Sequence, residues 1–164
     1  MNVTRYHRFL LAKDTFYGVR ITWWDTDPVH ENGVFYMGLS SGKRKEVPGV
    51  HSDLPWNDTT IVIYLTPGLP VDCGTSLFMH RQTGLTDPPS ARDAKRLGKT
   101  RTQLVDILER DRRLRSRWVE VDRIGYGFNR MVAFPSGILH AASRHHGASI
   151  SGGRLFQTFR VGVD

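Results

Sequence analysis

The stretch that decides the fold is residues 50–78, VHSDLPWNDTTIVIYLTPGLPVDCGTSLF. It begins with a His-x-Asp pair, His51 and Asp53, and continues into an apolar run at 61–65 that is typical of a buried strand. Alternate side chains of a strand share a face, so the imidazole of His51 and the carboxylate of Asp53 point the same way. Such a pair supplies two of the three ligands of a site built from two histidines and one carboxylate. This spacing also arises by chance, so the rest of the chain has to supply the third ligand.

Residues 58–66 predict the clearest strand of the chain. Its odd positions Ile61, Ile63 and Leu65 form an apolar face, and its even positions form a mixed one, made of Thr60, Val62, Tyr64 and Thr66. This alternation favours a sheet with one face in a packed core and the other lining a pocket.

Further short strands are predicted along the chain, separated by turns rich in Gly, Pro and Asn. They are residues 17–24, 34–39, 75–80, 119–122, 128–134, 138–143 and 154–161. Short strands at regular spacing with a helix outside them predict a mainly β fold, a double-stranded β-helix (jelly roll) with one or two flanking α-helices.

A helical insertion is predicted at about residues 90–118. Thr100 and Gln103 are spaced as a capping box, which marks a helix start. An apolar stripe follows, formed by Leu104, Ile107, Leu108, Leu114 and Trp118. We expect the arginines of this segment to face water, namely Arg110, Arg112, Arg113 and Arg115.

Length and composition indicate one domain over residues 1–164 with an ordinary soluble composition, 39% hydrophobic and 24% charged. The single cysteine, Cys73, excludes an internal disulfide and a cysteine-based zinc cluster. No leader of charged and then apolar residues opens the chain, and no run of about eighteen apolar residues occurs. We therefore expect a cytoplasmic protein without a membrane partner.

The net charge of +7 is concentrated in one block. Residues 92–117 hold ten Lys or Arg and only four Asp or Glu. Such a block can bind an anionic partner, including nucleic acid, although a solvated helix face is the commoner reason for it. Because the block contains no aromatic side chain on which a base could stack, a nucleic-acid-binding module ranks last among the candidate functions.

The third metal ligand is predicted in the last third of the chain. His140 follows a Pro-Ser-Gly turn and lies in an apolar strand. A lone inward histidine is more often a hydrogen-bonded core residue, but the His-x-Asp pair on another strand makes a ligand the better interpretation. Further on, Arg154 shares a strand face with Phe156 and Thr158. A guanidinium binds a carboxylate through two parallel hydrogen bonds and is costly to bury unpaired, and the Tyr64 hydroxyl could join it on the same carboxylate.

These pieces, in this order, resemble the iron(II)- and 2-oxoglutarate-dependent oxygenases, most closely the branch that includes prolyl 4-hydroxylases. The resemblance covers about residues 48–80 and 126–161. Its elements are His51-x-Asp53, the segments 63–66 and 74–78, His140 and Arg154.

The resemblance implies that His51, Asp53 and His140 hold Fe(II). It implies that Arg154 binds the distal carboxylate of 2-oxoglutarate, with Tyr64 assisting and Thr158 beside them. The reaction implied is hydroxylation of a small molecule, amino acid or peptide residue, with use of O2 and release of succinate and CO2. An aspartate in the ligand set favours hydroxylation over halogenation, because related halogenases have a small residue there.

The chain also departs from the family pattern. The segment before the His-x-Asp pair is short, and the gap from His140 to Arg154 is longer than in prolyl hydroxylases. Cys73 and Gly74 stand where the family has a Gly-Gly pair, and Thr66 stands where it has Asn after Tyr-Leu.

Candidate substrate residues are Trp56, which follows Asp53 by three positions, and Asn129 and Arg130, which precede the His140 strand. We expect His145 and His146 at the pocket rim or in solvent. The alternative function is a non-catalytic, cupin-like jelly roll that binds a metal or small ligand. An oxygenase that acts on an anionic substrate would account for both the site and the basic block.

Overall fold

The computed structural model describes residues 21–24, 32–54 and 58–163. Over these residues the chain is mainly β with two α-helices, as the sequence predicts. The eight strands are β1 (Ile21–Trp24), β2 (Phe35–Gly38), β3 (Thr59–Tyr64), β4 (Thr75–His80), β5 (Trp118–Ile124), β6 (Met131–Pro135), β7 (His140–Ala142) and β8 (Arg154–Val163). The helices are α1 (Ala91–Leu97) and α2 (Arg101–Asp111), and both lie in the connection between β4 and β5.

The larger sheet has five strands and is organised around the long β8. One edge of β8 pairs with β3, which in turn pairs with β6. The other edge pairs with β2 near the start of β8 and with β1 near its end. Every pairing is antiparallel, and the register places Val62 of β3 between Thr158 of β8 and Val132 of β6.

The smaller sheet has the order β5-β4-β7. A further antiparallel bridge pairs His140, the first residue of β7, with His51. The segment before β3 thereby joins the free edge of this sheet, next to β7.

Burial follows the alternation predicted for β3. Ile61 and Ile63 pack with Phe159 and Val161 on one face of the larger sheet. On the other face Val62 and Tyr64 belong to a cluster that also contains Cys73, Tyr126, Val132 and Phe134. A third cluster joins the smaller sheet to α2, and its members are Val50, Phe78, Leu85, Leu108, Trp118, Leu139 and Ala141.

Helix α2 begins as predicted but ends earlier. Thr100 and Gln103 form the capping box, with each side chain bonded to the other residue's backbone N–H. The prediction that the helix continues through Leu114 to Trp118 is wrong. The helix ends at Asp111, Leu114 is half exposed, and the buried Trp118 is the first residue of β5. The Asp111 carbonyl accepts two hydrogen bonds at 2.9 Å, one from the Leu114 backbone N–H and one from the Trp118 indole N–H, so the indole folds back onto the end of the helix.

Helix α1 is short and well defined at both ends. Ser90 and Asp93 form its capping box, and it ends at Gly98, whose φ of 62° is a left-handed conformation that glycine adopts without a side-chain clash. Of the helices in the described ranges, none has the length and apolar character that a bilayer span requires.

Candidate functional site

The site starts from the pairing of His51 with His140 across the edge of the smaller sheet. The two residues exchange both backbone hydrogen bonds, His51 N–H to the His140 carbonyl at 3.0 Å and the reverse bond at 2.9 Å. Residues directly opposite each other in an antiparallel pair project their side chains to the same side. The two imidazole rings accordingly lie with their centroids 4.5 Å apart.

Asp53 completes a three-ligand group. Its Oδ1 lies 3.6 Å from His51 Nε2, and its Oδ2 lies 3.5 Å from His140 Nε2. The ligand atoms of these three residues all lie within 4.8 Å of one another. Two imidazole nitrogens and a carboxylate on one side of a point are the donor set of a facial site, which leaves the opposite positions of a metal open.

Both histidines are held in the tautomer that a metal needs. His51 Nδ1 lies 2.9 Å from the Gly49 carbonyl, and His140 Nδ1 lies 2.8 Å from the Ile138 carbonyl. A carbonyl only accepts, so each Nδ1 carries a hydrogen, and the Nε2 of each ring faces Asp53, where it can act as a metal ligand when the ring is neutral. Backbone carbonyls bonded to the distal ring nitrogen are a common outer support of metal-binding histidines.

Hydrogen bonds from a neighbouring strand fix the Asp53 carboxylate. The Thr60 hydroxyl donates to Asp53 Oδ2 at 2.6 Å and lies 2.9 Å from the Ser136 hydroxyl. Burial acts to raise the pKa of Asp53, but His140, His51 and the Thr60 bond together hold that pKa below its ordinary value. Burial lowers the pKa of His140 to about 4, with a further lowering by the neighbouring His51. At neutral pH the group is therefore a carboxylate beside a neutral His140, which is the protonation state that binds a cation.

The three ligands line a cavity of about 270 Å³ whose wall also contains Arg154, Phe156 and Thr158 of β8. Arg154 is 1% exposed. Its Nε donates to the Cys73 carbonyl (2.5 Å) and one terminal nitrogen donates to the Gly74 carbonyl (3.1 Å). Its other terminal nitrogen and the Thr158 hydroxyl are buried, and neither has a hydrogen-bond partner among the described residues.

No carboxylate in the described ranges forms an ion pair with Arg154, and burial lowers its pKa. Its guanidinium lies over the Phe156 ring (4.4 Å to the centroid) and at 5.3 Å from the centre of the Tyr64 ring. A buried cation without an anion is costly, and an anion bound beside Arg154 would reduce this cost.

Tyr64 lies behind Arg154 and is not part of the cavity wall. It is fully buried, its ring stacks on Tyr126, and its hydroxyl donates to Thr75 Oγ1 at 2.8 Å. Thr75 does line the cavity. Tyr64 therefore supports the wall through Thr75 and through its position beside the Arg154 guanidinium.

Three further residues of the wall were missed from the sequence: Arg160, His145 and Arg112. Arg160 lies 4.0 Å from Asp53 Oδ1, and the period-two pattern of β8 after Arg154 could have found it. His145 is 8% exposed and lines the cavity, so of its two expected positions, the pocket rim and solvent, solvent is wrong.

Of the four arginines expected to face water, Arg110, Arg113 and Arg115 are exposed, and Arg112 is partly buried. Arg112, Arg113 and Arg115 follow the end of α2, and all three line a second cleft that adjoins the cavity. Arg112 also lines the cavity itself, where its side chain packs over Gly49. Because the helix ends at Asp111, the residues after it lie beside the smaller sheet: the Val50 N–H donates to the Arg112 carbonyl, and the Arg115 side chain donates to the Ser143 carbonyl.

The three candidate substrate residues are not joined to this group. Trp56 lies outside the described residues. Asn129, with φ of 57°, occupies the turn before β6, and its backbone N–H donates to the Tyr64 carbonyl. The Arg130 side chain donates to the Gly125 carbonyl at 2.6 Å, and neither Asn129 nor Arg130 lines the cavity.

Comparison with protein families gives one match, to a family of unknown function (DUF6445), over residues 43–155. The match covers more than half of the chain and includes all three residues of the ligand group, so the chain belongs to this family. Comparison with curated proteins and with solved structures found no match.

Proposed function

We propose that this member of the DUF6445 family is an Fe(II)- and 2-oxoglutarate-dependent oxygenase that hydroxylates a small molecule, amino acid or peptide residue. One observation carries the proposal. A facial set of His51, Asp53 and His140 shares a cavity with Arg154, a buried cation that has an unpaired nitrogen and no carboxylate partner in the described ranges. A jelly roll that only binds a metal would have no use for the unpaired cation. A dicarboxylate cosubstrate needs both features, the metal for its keto-acid end and the cation for its far carboxylate.

The strand pairing supports a double-stranded β-helix as the fold. From β2 onwards the chain has eight extended segments if the residues at His51 count as the second. The first pairs with the eighth (β2 with β8) and the second with the seventh (His51 with β7). The third pairs with the sixth (β3 with β6) and the fourth with the fifth (β4 with β5). A jelly roll, in which one long hairpin is wound into two sheets, would have this pairing, and this agreement supports the proposed fold.

The donor set suits iron(II). Two neutral imidazoles and one carboxylate, with open positions opposite, are typical of non-haem iron oxygenases. Bound iron with 2-oxoglutarate and O2 would supply the oxidising chemistry, in which the substrate C–H becomes C–OH and the cosubstrate leaves as succinate and CO2. The Thr60 bond and the two backbone carbonyls would hold the ligands in place.

Arg154 and Thr158 would hold the far carboxylate of the cosubstrate. The unpaired guanidinium nitrogen and the unpaired hydroxyl are both buried in the wall of this cavity. A carboxylate there would accept from both and would remove the cost of leaving them unpaired. Tyr64 would act indirectly, by keeping Thr75 and Arg154 in position.

The test is anaerobic titration of the protein with Fe(II) and then 2-oxoglutarate, with detection of the visible charge-transfer band of the chelated cosubstrate. We expect a band in the wild type and none in His140→Ala. Arg154→Ala and Arg154→Lys should keep iron binding but need at least tenfold more 2-oxoglutarate, since one charge-assisted bond is lost or displaced. The lysine variant keeps a donor near the Cys73 and Gly74 carbonyls, which protects the fold.

Matched controls are His146→Ala, a histidine outside the ligand group, and Arg92→Ala, an exposed arginine on α1. Both should give the wild-type band at wild-type concentrations. If folded, iron-loaded wild type gives no band with 2-oxoglutarate, the oxygenase proposal fails and the cupin-like metal binder takes its place.

A further inference from the structure

The cavity opens beside a second cleft with a strong positive charge. The cleft has a volume of about 640 Å³ and shares four wall residues with the cavity: Glu46, Pro48, Arg112 and His145. Among the described residues its wall carries five cations and one carboxylate, Glu46. The cations are Lys45, Arg112, Arg113, Arg115 and Arg144. These six side chains together carry an excess of four positive charges.

Several of these cations are free to bind an anion. In the described ranges no ion pair involves Lys45 or Arg113, and both are exposed. Arg144 pairs with Asp72 at 3.2 Å, and Arg112 reaches Glu109 only at 3.5 Å, both at the surface where such pairs are weak. The Arg112 Nε is buried without a partner.

Arg112 connects the two spaces. Its side chain packs against Gly49, where a Cβ would come within 2.7 Å of its Nε. The Gly49 carbonyl is the acceptor for His51 Nδ1. The arginine that lines both the cavity and the cleft therefore rests on the backbone that orients a metal ligand.

We propose that this basic cleft holds a phosphate or diphosphate group of the substrate while the carbon to be oxidised lies in the cavity. This inference rests on the proposed oxygenase function. A single carboxylate would neutralise only a quarter of the excess charge, whereas a diphosphate neutralises most of it and accepts bidentate bonds from arginine. None of the residues lining the cleft is Phe, Tyr or Trp, so it offers no stacking platform for single-stranded nucleic acid.

The probe is pyrophosphate, titrated calorimetrically into the metal-free protein in EDTA at low ionic strength. We expect saturable binding that weakens as salt is added. The double variant Lys45→Ala/Arg113→Ala should weaken it at least tenfold. The matched control Arg92→Ala/Lys95→Ala removes the same charge from exposed positions of α1 and should leave the affinity unchanged.

Three results would overturn the inference. They are no pyrophosphate binding at millimolar concentration, equal weakening in the control double variant, or tighter binding of the tricarboxylate tricarballylate than of pyrophosphate. Much tighter binding of a short single-stranded oligonucleotide, lost in Lys45→Ala/Arg113→Ala, would replace a small phosphorylated substrate by nucleic acid. The pyrophosphate titration contains no iron, so its failure would not affect the result of the charge-transfer test. Failure of the charge-transfer test would likewise not affect pyrophosphate binding, so the two failures can be told apart.

Discussion

Two histidine–aspartate groups lie in the part of the chain that the structure describes, and they differ in what their imidazole nitrogens face. In the closed cluster, formed by His80, Thr83 and Asp111, the His80 Nδ1 lies 2.9 Å from the Thr83 hydroxyl and its Nε2 lies 3.1 Å from Asp111 Oδ2. His80 is 0% exposed, and both of its nitrogens have partners.

The second group is the candidate metal-ligand group, formed by His51, Asp53 and His140. Its two histidines use only Nδ1 for a short hydrogen bond, and their Nε2 atoms face Asp53 and the cavity. A carboxylate near an imidazole is common to both groups. We call a buried group whose side chains only bond to one another, such as the His80 cluster, a structural clip. A candidate metal ligand differs from it in having a ring nitrogen that faces an open space and has no close partner.

The largest expected contrast between the groups is in stability. Asp111 is 1% exposed and accepts from Arg110 at 3.0 Å, so Asp111→Ala leaves a buried imidazole nitrogen without its partner. We expect the free energy of unfolding to fall by about 3–5 kcal/mol. Asp53→Ala should cost only about 1 kcal/mol, because the cavity admits water to its partners.

Urea denaturation of the metal-free variants measures both changes, and an Fe(II) titration of the folded protein gives the second readout. Asp53→Ala should lose iron binding. Asp111→Ala should still bind iron at urea concentrations below the midpoint of its unfolding. Equal destabilisation by the two substitutions would show that the metal-ligand group is also a structural clip.

A smaller contrast is expected in the pH dependence of stability without metal. Burial and the nearby His51 lower the pKa of His140 to about 4, against an ordinary value of 6.5. Between these values the unfolded chain binds a proton that the folded state does not, so stability falls as the pH falls from about 6.5 to about 4. The loss attributable to His140 is about 3 kcal/mol at most.

Denaturation curves at pH 7, 5.5 and 4.5 for the wild type and for His140→Gln test this contribution. His145 has a lowered pKa through burial as well and contributes to both curves, so the difference between the two slopes is the measure. Parallel slopes would contradict the assignment to His140.

Local alternation was enough to predict β3 and β4, and the structure places His51, Asp53 and His140 close together, as the sequence predicts. His51 and Asp53 share a face because they are two residues apart, and period two also placed Phe156 and Thr158 beside Arg154. That His51 and His140 lie close together was predicted from their residue types, because two histidines and one aspartate are a common ligand set for a metal.

Contacts between distant segments could not be predicted in this way. The end of α2 is set by Trp118, whose indole bonds to the Asp111 carbonyl while its ring packs edge-on against Phe78 and His80. The spacing of the apolar residues does not show these contacts, so the helix predicted from it runs too far, to Trp118. Long-range packing also places the Arg112 side chain in the cavity wall. It brings the Tyr64 hydroxyl next to Thr75, to which it donates a hydrogen bond.

The finest comparison uses one threonine from each group, Thr60 beside Asp53 and Thr83 beside His80. Thr60→Val removes the bond that orients the carboxylate, so Fe(II) affinity should fall about tenfold or more. Thr83→Val removes the partner of His80 Nδ1, so the free energy of unfolding should fall by about 1 kcal/mol with no change in Fe(II) affinity. Each variant is the control for the other when both are measured by competitive metal titration and by urea denaturation. A tenfold loss of metal affinity in Thr83→Val would mean that the two groups are coupled, and the distinction between a closed clip and an open ligand set would fail.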